Sequence, residues 1–467
     1  MKHPLARAHA LAALGVTAVA LLAAGCASVS PDAGFGAVAG IAKDRLGKDA
    51  RLLRNDDDAR ELARLLDDKL RTPLSADDAV QIALLNNRAL QATYWNVGIA
   101  EADLVRAGRL QNPSFTFQRT HQGTDVDLER SLTFNLVGML TMPLAQRIEG
   151  RRFEQTKLMV ANQMLQHALD TRRAYFEAVA AAQGVSYARQ VSDAAEASAA
   201  LMERMAQAGN SSQLDLARER AFHAEASAEA GRAGKHAVAA REKLTRLMGL
   251  WGAHANYTLP DRLPDLPSAP ALVDDVERVA MRERLDIQAA QAEAAQTASS
   301  LGLTKATRLL NVLDLGYGRN SSAGQPSAPG YAITLEIPLF DWGSSHVAKA
   351  EAIYMQSVNK LAQAATDARS EARESYLGYR SSFELAKHYR DQVIPLRKKI
   401  SGETLLRYNG MLVSVFELLA DSRDQAAAVN SYIDALKEFW IAQTDLEAAL
   451  GGRLPTQSGD PSKGTTP

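Results

Sequence analysis

The chain has 467 residues with 53 basic and 54 acidic side chains, a balance that gives no electrostatic reason to expect a nucleic-acid partner. Its single cysteine, Cys26, excludes an internal disulfide and a thiolate metal site. An aromatic content of 6 %, with abundant Ala, Leu, Glu, Gln, Arg and Lys, favours long helices over a sandwich or an α/β sheet.

The N-terminus opens with Lys2 and Arg7, followed by an apolar run from Ala10 to Ala24. That run is shorter than the ~20 residues a spanning helix needs, so residues 1–25 read as a secretion signal. The signal ends in Leu22-Ala23-Ala24-Gly25-Cys26, small residues that suit a lipoprotein peptidase and make Cys26 the expected lipid acceptor. Lipoprotein signals usually place Leu three positions before the cysteine, whereas here Ala23 fills that place. An ordinary signal with an incidental cysteine is the alternative. Ala27, rather than an acid, follows the cysteine and implies sorting to the outer membrane, where acyl chains would anchor the protein at ~0.8 kcal/mol per buried methylene. Residues 26–72 form an N-terminal lipid-anchored segment whose placement the sequence leaves open, with Glu61 to Leu66 helical in character.

From residue 73 the chain reads the same way twice, over 73–259 and 272–454, joined by an extended linker at 260–271 with Pro260, Pro264, Pro267 and Pro270. Each half opens with a short helix, at Leu74 to Val80 with Ser75 as cap and at Leu272 to Glu277. A longer helix follows, about Arg88–Leu110 or Leu285–Leu310. Two strands, a very long helix, a glycine-centred turn at Gly209 or Gly410, and a second long helix complete the half. Pro143 and Pro338, read as strand-ending prolines, lie 195 positions apart; the two turn glycines lie 201 apart. The tail, 455–467, is rich in Pro, Ser, Gly and Thr and reads as disordered.

In the second half an uncharged seam runs from Tyr354 through Ala368, Ala372, Tyr379, Phe383 and Ala386 to Leu396 and Ile400 at steps of three or four, which is coiled-coil packing. Pro395 should kink that helix. The strands alternate instead: Tyr331, Ile333, Leu335, Ile337 and Leu339; Leu132, Phe134 and Leu136; Phe115 and Phe117. Such a period of two suits a half-buried sheet or a membrane barrel. Four strands cannot close a barrel alone, and unpaired edges are forbidden in lipid, so a membrane role requires several copies.

With its duplicated layout, Ile337-Pro338-Leu339-Phe340-Asp341-Trp342-Gly343, Thr141-Met142-Pro143-Leu144, Arg407-Tyr408-Asn409-Gly410 and Ala206-Gln207-Ala208-Gly209, the chain resembles the TolC-like outer-membrane efflux family from about Leu74 to Leu454. The resemblance implies a mainly α protein with a small β part: a duplicated helix-strand-strand-helix-helix repeat forming a long coiled-coil α-barrel, plus four strands per chain in a trimeric 12-stranded membrane β-barrel. It implies a homotrimer in outer-membrane lipid that extends into the periplasm and binds no cofactor. A periplasmic adaptor would link it to an inner-membrane pump of the RND type.

The helical turns would face the adaptor, making Gly209, Asn210, Ser211, Ser212, Gly410, Met411, Leu412, Val413 and Ser414 the docking candidates. The family's acidic periplasmic narrowing maps to Asp215 and, in a segment read as one residue longer, to Glu417, with Asp421 and Asp424 as substitutes. The same acids equally favour a helix N-terminus, where each is worth ~0.3–1 kcal/mol.

No spacing among the nine histidines has metal-site character, and no phosphate loop or nucleophile elbow is present. An enzyme is therefore not expected. The rival reading is a periplasmic coiled-coil adaptor or structural scaffold lipoprotein, although such adaptors usually carry one hairpin and extra β-domains.

Overall fold

The computed structural model describes residues 28–454 except 124, 310, 311, 323 and 324, so the expected secretion signal, Cys26 and the tail from 455 lie outside the described residues. In chain order the elements are α1 (Gly36–Leu46), α2 (Asp56–Lys69), α3 (Ala76–Asn86), α4 (Arg88–Ala107), β1 (Ser114–Gln122), β2 (Asp125–Asn135), α5 (Leu136–Gln207) and α6 (Gln213–Met248). The second half supplies α7 (Val276–Glu283), α8 (Leu285–Thr307), β3 (Leu313–Ser321), β4 (Ala328–Leu335), α9 (Ser344–His388), α10 (Ile394–Asn409) and α11 (Val415–Ala449). The mainly helical, duplicated order expected from sequence is present. None of the described helices is long and apolar enough to cross a membrane. The chain divides into two compact units, and each takes segments from both halves.

The first unit comprises the stretch up to Ala37, Tyr94–Val160 and Asp286–Ala364. Its centre is one antiparallel sheet in the order β1-β2-β3-β4. Phe115 faces Leu132, Leu132 faces Tyr317, and Tyr317 faces Tyr331, while Phe134, Leu315 and Ile333 form the next row. Alternation therefore gathers the large apolar side chains on one face, and Phe115, Phe117, Tyr317, Tyr331 and Ile333 are exposed there. The opposite face carries Thr116, Gln118, Ser131, Thr133, Gly316, Gly318 and Ala332, small or polar throughout. An apolar face left open is the reverse of a soluble sheet, which buries that side.

The two strand-to-helix junctions are not equivalent. Pro338 lies between β4 and α9, after the strand, as expected. Pro143 does not end a strand: β2 stops at Asn135, and Pro143 sits inside α5. The Asn135 side chain accepts from the Gly138 amide and starts the helix early. Leu136 thereby leaves the strand pattern, and Ile337 and Leu339 lie past the end of β4.

The second unit comprises Val38–Thr93, Ala161–Leu285 and the chain from Ala365. Its core is an aromatic cluster from three long helices. Phe439 of α11 meets Tyr379 and Phe383 of α9 at ring separations of 5.6 and 5.8 Å, and Trp440 stacks on Phe176 of α5 at 5.3 Å. Each such burial is worth about 1.5–3 kcal/mol, which explains why these helices pack here despite few bulky residues elsewhere. The seam is buried from Ala368 to Ala386, but Leu396 and Ile400 are exposed. A single π turn at Tyr389–Val393 separates the two stretches. Pro395 has no N–H and crowds the carbonyl four residues back, and Ile394 N–H instead donates to Tyr389 O, five back. The strain expected at Pro395 is thus absorbed upstream, shifting the exposed face beyond it.

Residues 38–70, unplaced by sequence, are strapped to this unit. Asp49 N donates to Gln81 Oε1 and Leu53 N to Gln91 Oε1, while Gln91 Nε2 returns a bond to Arg51 O. Leu62 and Leu66 of α2 enter the core.

The repeat is visible in one detail of helix ending. Gly249 closes α6 in a left-handed conformation, and a Cβ there would lie 2.9 Å from Asn87 Cα. Gly451, just after α11, is also left-handed, and its Cβ would lie 2.8 Å from Glu283 O. In both halves a glycine lets the second long helix end against the bend between the two opening helices. In the first half the Asn86 and Asn87 amides also cap the last carbonyls of α6.

Candidate functional site

The candidate gate and docking residues cluster at the two helical turns of the second unit. In the first turn Gly209 takes φ +79°, and Asn210 N donates to Met205 O while Gly209 N donates to Ala206 O. This is the paired-bond helix ending that wants a left-handed residue. The second turn makes the same bonds one position later than the sequence reading placed them: Leu412 N to Arg407 O and Met411 N to Tyr408 O. Its left-handed residue is Met411, at φ +59°, and Gly410 has φ −82°. The two turns are therefore equal in length, and the inserted residue lies before the turn. Gly209 corresponds to Met411, Ser212 to Ser414 and Asp215 to Glu417, each 202 positions apart.

Capping explains the first two acids. Ser212 and Ser414 are N-caps of α6 and α11, accepting from the amides of Asp215 at 3.1 Å and Glu417 at 3.4 Å. Ser212 Oγ also donates to Asp215 Oδ2 at 2.6 Å, and Arg218 lies 3.5 Å from the same carboxylate. Asp215 thus has full employment as a cap partner, which is the plainer of its two sequence readings. Glu417 is exposed, and Asp424 pairs with Arg397 of α10 at 2.9 Å.

Asp421 differs from all three. It is only 7 % exposed, and neither carboxylate oxygen has a hydrogen-bond partner among the described residues. A buried carboxylate without a partner costs several kcal/mol, so a retained one points to a role outside the isolated chain. Sequence reasoning ranked it below Asp215 and Glu417 and missed its counterpart, Glu219, 202 positions earlier. Glu219 is equally buried but satisfied: Ser198 Oγ donates at 2.7 Å and Arg423 Nη2 at 2.6 Å, with Arg423 also 4.1 Å over the Phe222 ring. The signal was available, because Glu219 lies one helical turn after Asp215 just as Asp421 follows Glu417. Nearer the turns than Glu219 and Asp421, Met202, Leu216 and Val415 form a small apolar cluster that joins the two hairpins.

The tips themselves are unlike. Gly209 and Asn210 give a polar, exposed tip, and the Ser211 hydroxyl is buried without a partner among the described residues. Met411 and Leu412 are 94 % and 78 % exposed, so the second tip is apolar. Cys26, the lipidation candidate, lies outside the described residues. No group of residues with metal-binding composition occurs among the described residues.

No protein-family model matches the chain. It is 28 % identical over 426 residues to Protein CyaE of Bordetella pertussis, covering 83 % of this chain and 86 % of that protein. Its fold matches the Campylobacter jejuni CmeC outer membrane channel with a TM-score of 0.67 at 16 % identity, over 81 % of this chain and 85 % of that one. It likewise matches the open state of the Neisseria gonorrhoeae MtrE outer membrane channel with a TM-score of 0.65 at 17 % identity, over 80 % and 88 % of the two chains.

Proposed function

We propose that the chain, which shares the fold of solved outer-membrane channels, is a member of the TolC-like outer-membrane channel family and the exit duct of a tripartite efflux or export system. It would conduct substrates passively from the periplasm to the exterior. The observation that carries this reading is the sheet, with an exposed apolar face, a small and polar opposite face, and two edges left unpaired by four strands. Lipid covers such an apolar face, and only barrel closure with other copies satisfies such edges. A homotrimer gives twelve strands. The adaptor would dock at Gly209 to Ser212 and at Met411 to Ser414 with Gly410 beside them, bringing a pump of the RND type, and Cys26 would carry the lipid anchor.

Reconstitution tests this directly. The membrane-extracted protein should migrate as a heat-dissociable trimer and conduct ions across a planar bilayer. A water-soluble monomer without conductance would instead favour an adaptor or scaffold.

Within the duct we assign the gate first to Asp421, supported by its orphaned carboxylate, with Glu417, Asp215 and Asp424 as the surrounding acids. Three symmetry copies would form an acidic ring that attracts cations. Asp421→Asn should change single-channel conductance or cation preference more than Asp215→Ala or Glu417→Ala. Unchanged pore behaviour in all three variants would sink the assignment.

A further inference from the structure

Charge is divided between the two faces of the sheet. On the apolar face the only charged strand residues are cationic: Arg119 of β1, Arg130 of β2 and Arg319 of β3. On the opposite face they are all carboxylates: Asp125, Asp127 and Glu129 of β2 and Asp314 of β3. A merely solvated rim would mix the two signs.

The three arginines are also grouped. Arg130 lies directly opposite Arg319, and Arg119, whose partner is Leu128, is its diagonal neighbour on the same face. Directly opposed strand residues have Cβ atoms about 5 Å apart, where like charges repel. All three are exposed, and no ion pair to any of them occurs among the described residues. They stand towards the β1–β2 turn and the β3–β4 connection: Arg130 and Arg319 lie level with Phe117, one row beyond Phe115, Leu132, Tyr317 and Tyr331, and Arg119 lies one row further on. The face therefore reads in order as aliphatic, aromatic and then guanidinium. Lipid presents acyl chain, interface and headgroup in that sequence.

We infer that this end of the sheet binds the phosphorylated headgroups of anionic lipid in the surrounding leaflet, with Arg119, Arg130 and Arg319 as the phosphate ligands. A phosphate between opposed guanidinium forks turns their repulsion into paired, charge-assisted hydrogen bonds. The carboxylates do not compete, because the backbone of the sheet lies between. The inference rests on the apolar face being lipid-facing, as the duct reading requires.

The test uses the full-length protein in phosphatidylethanolamine vesicles doped with bisphosphorylated lipid A or with its dephosphorylated form. Retained lipid is quantified by native mass spectrometry after mild extraction. Wild type should retain the phosphorylated lipid preferentially. R119Q/R130Q/R319Q should lose that preference on the order of a hundredfold, R130K should keep most of it, and D127N/E129Q on the opposite face should not alter it. If the triple variant does not fold, Arg319→Gln alone should still reduce the preference severalfold. Equal retention of the two lipid A forms by wild type overturns the inference. Displacement by equimolar inorganic phosphate would make this a free-anion site and overturn the lipid assignment. Conductance separates the two levels: vesicles that conduct without lipid preference refute the headgroup site alone, whereas failure to insert or conduct refutes the duct.

Discussion

Arg172 and Glu447 form a buried ion pair between the first long helix and the last, with side chains 12 % and 8 % exposed. Asp77 of α3 also touches Arg172, at 3.3 Å, and Lys48 reaches Asp77 at the same distance. Burial pushes the Glu447 carboxyl above its ordinary value even though Arg172 and Arg453 pull it down, so desolvation outweighs attraction. Two consequences follow for substitution. Arg172→Met leaves a buried carboxylate uncompensated and should cost about 3–5 kcal/mol, while Arg172→Met with Glu447→Met should be close to neutral or stabilising. Because the folded carboxyl is raised, its contribution is full below the unfolded value and fades as pH rises through the folded one. Removing Arg172 raises that folded value further, so the deficit of the single variant should be largest at neutral pH and shrink in acid. Thermal unfolding followed by circular dichroism, at fixed protein concentration and scan rate, from pH 4 to 8 measures both. A single variant within about 1 kcal/mol of wild type, or a pH-independent deficit, would refute the desolvation argument.

His167 is held below its ordinary pKa by burial, with Nε2 2.9 Å from Leu247 O. Its contribution is present above the unfolded value and lost as pH falls through the folded one, so denaturant midpoints should decline on acidification and do so less in His167→Gln. Gly249→Ala meets backbone at 2.9 Å in a left-handed conformation and should cost roughly 2 kcal/mol or more by thermal melting. The control Gly231→Ala, with open space in mid-helix, should gain about 0.5–1 kcal/mol. Met411→Gly should stabilise by about 1 kcal/mol and Gly209→Ala should destabilise by a similar amount, read as opposite shifts in melting temperature. Equal effects would mean that the two turns do not share the left-handed position.

The layout was legible in sequence because long seams and alternating strands are local patterns, and a duplication states each of them twice. What misled was punctuation. Pro143 and Pro338 look equivalent in sequence, but the Asn135 side chain starts one helix early. Gly410 looks like the partner of Gly209, yet hydrogen bonding selects Met411, which the preference for glycine at left-handed positions argues against. The two helical turns were legible as turns, with the second shifted by one residue. Among the candidate gate acids, sequence could supply spacing but not burial. The solitude of Asp421 and the pairing of Glu219 with Ser198 and Arg423 depend on helices distant in the chain.

The order of the sheet has a consequence for biogenesis. β2 of the first half pairs with β3 of the second, Leu132 against Tyr317, with two long helices and the linker between them in the chain. Contact order at the centre of the sheet is therefore high, and closing so long a loop is slow. During synthesis the first hairpin must wait, with the β2 edge that will meet β3 bare, until β3 has been made. Such an edge invites wrong partners, so escort during that interval should matter more for this protein than for one whose strands follow one another.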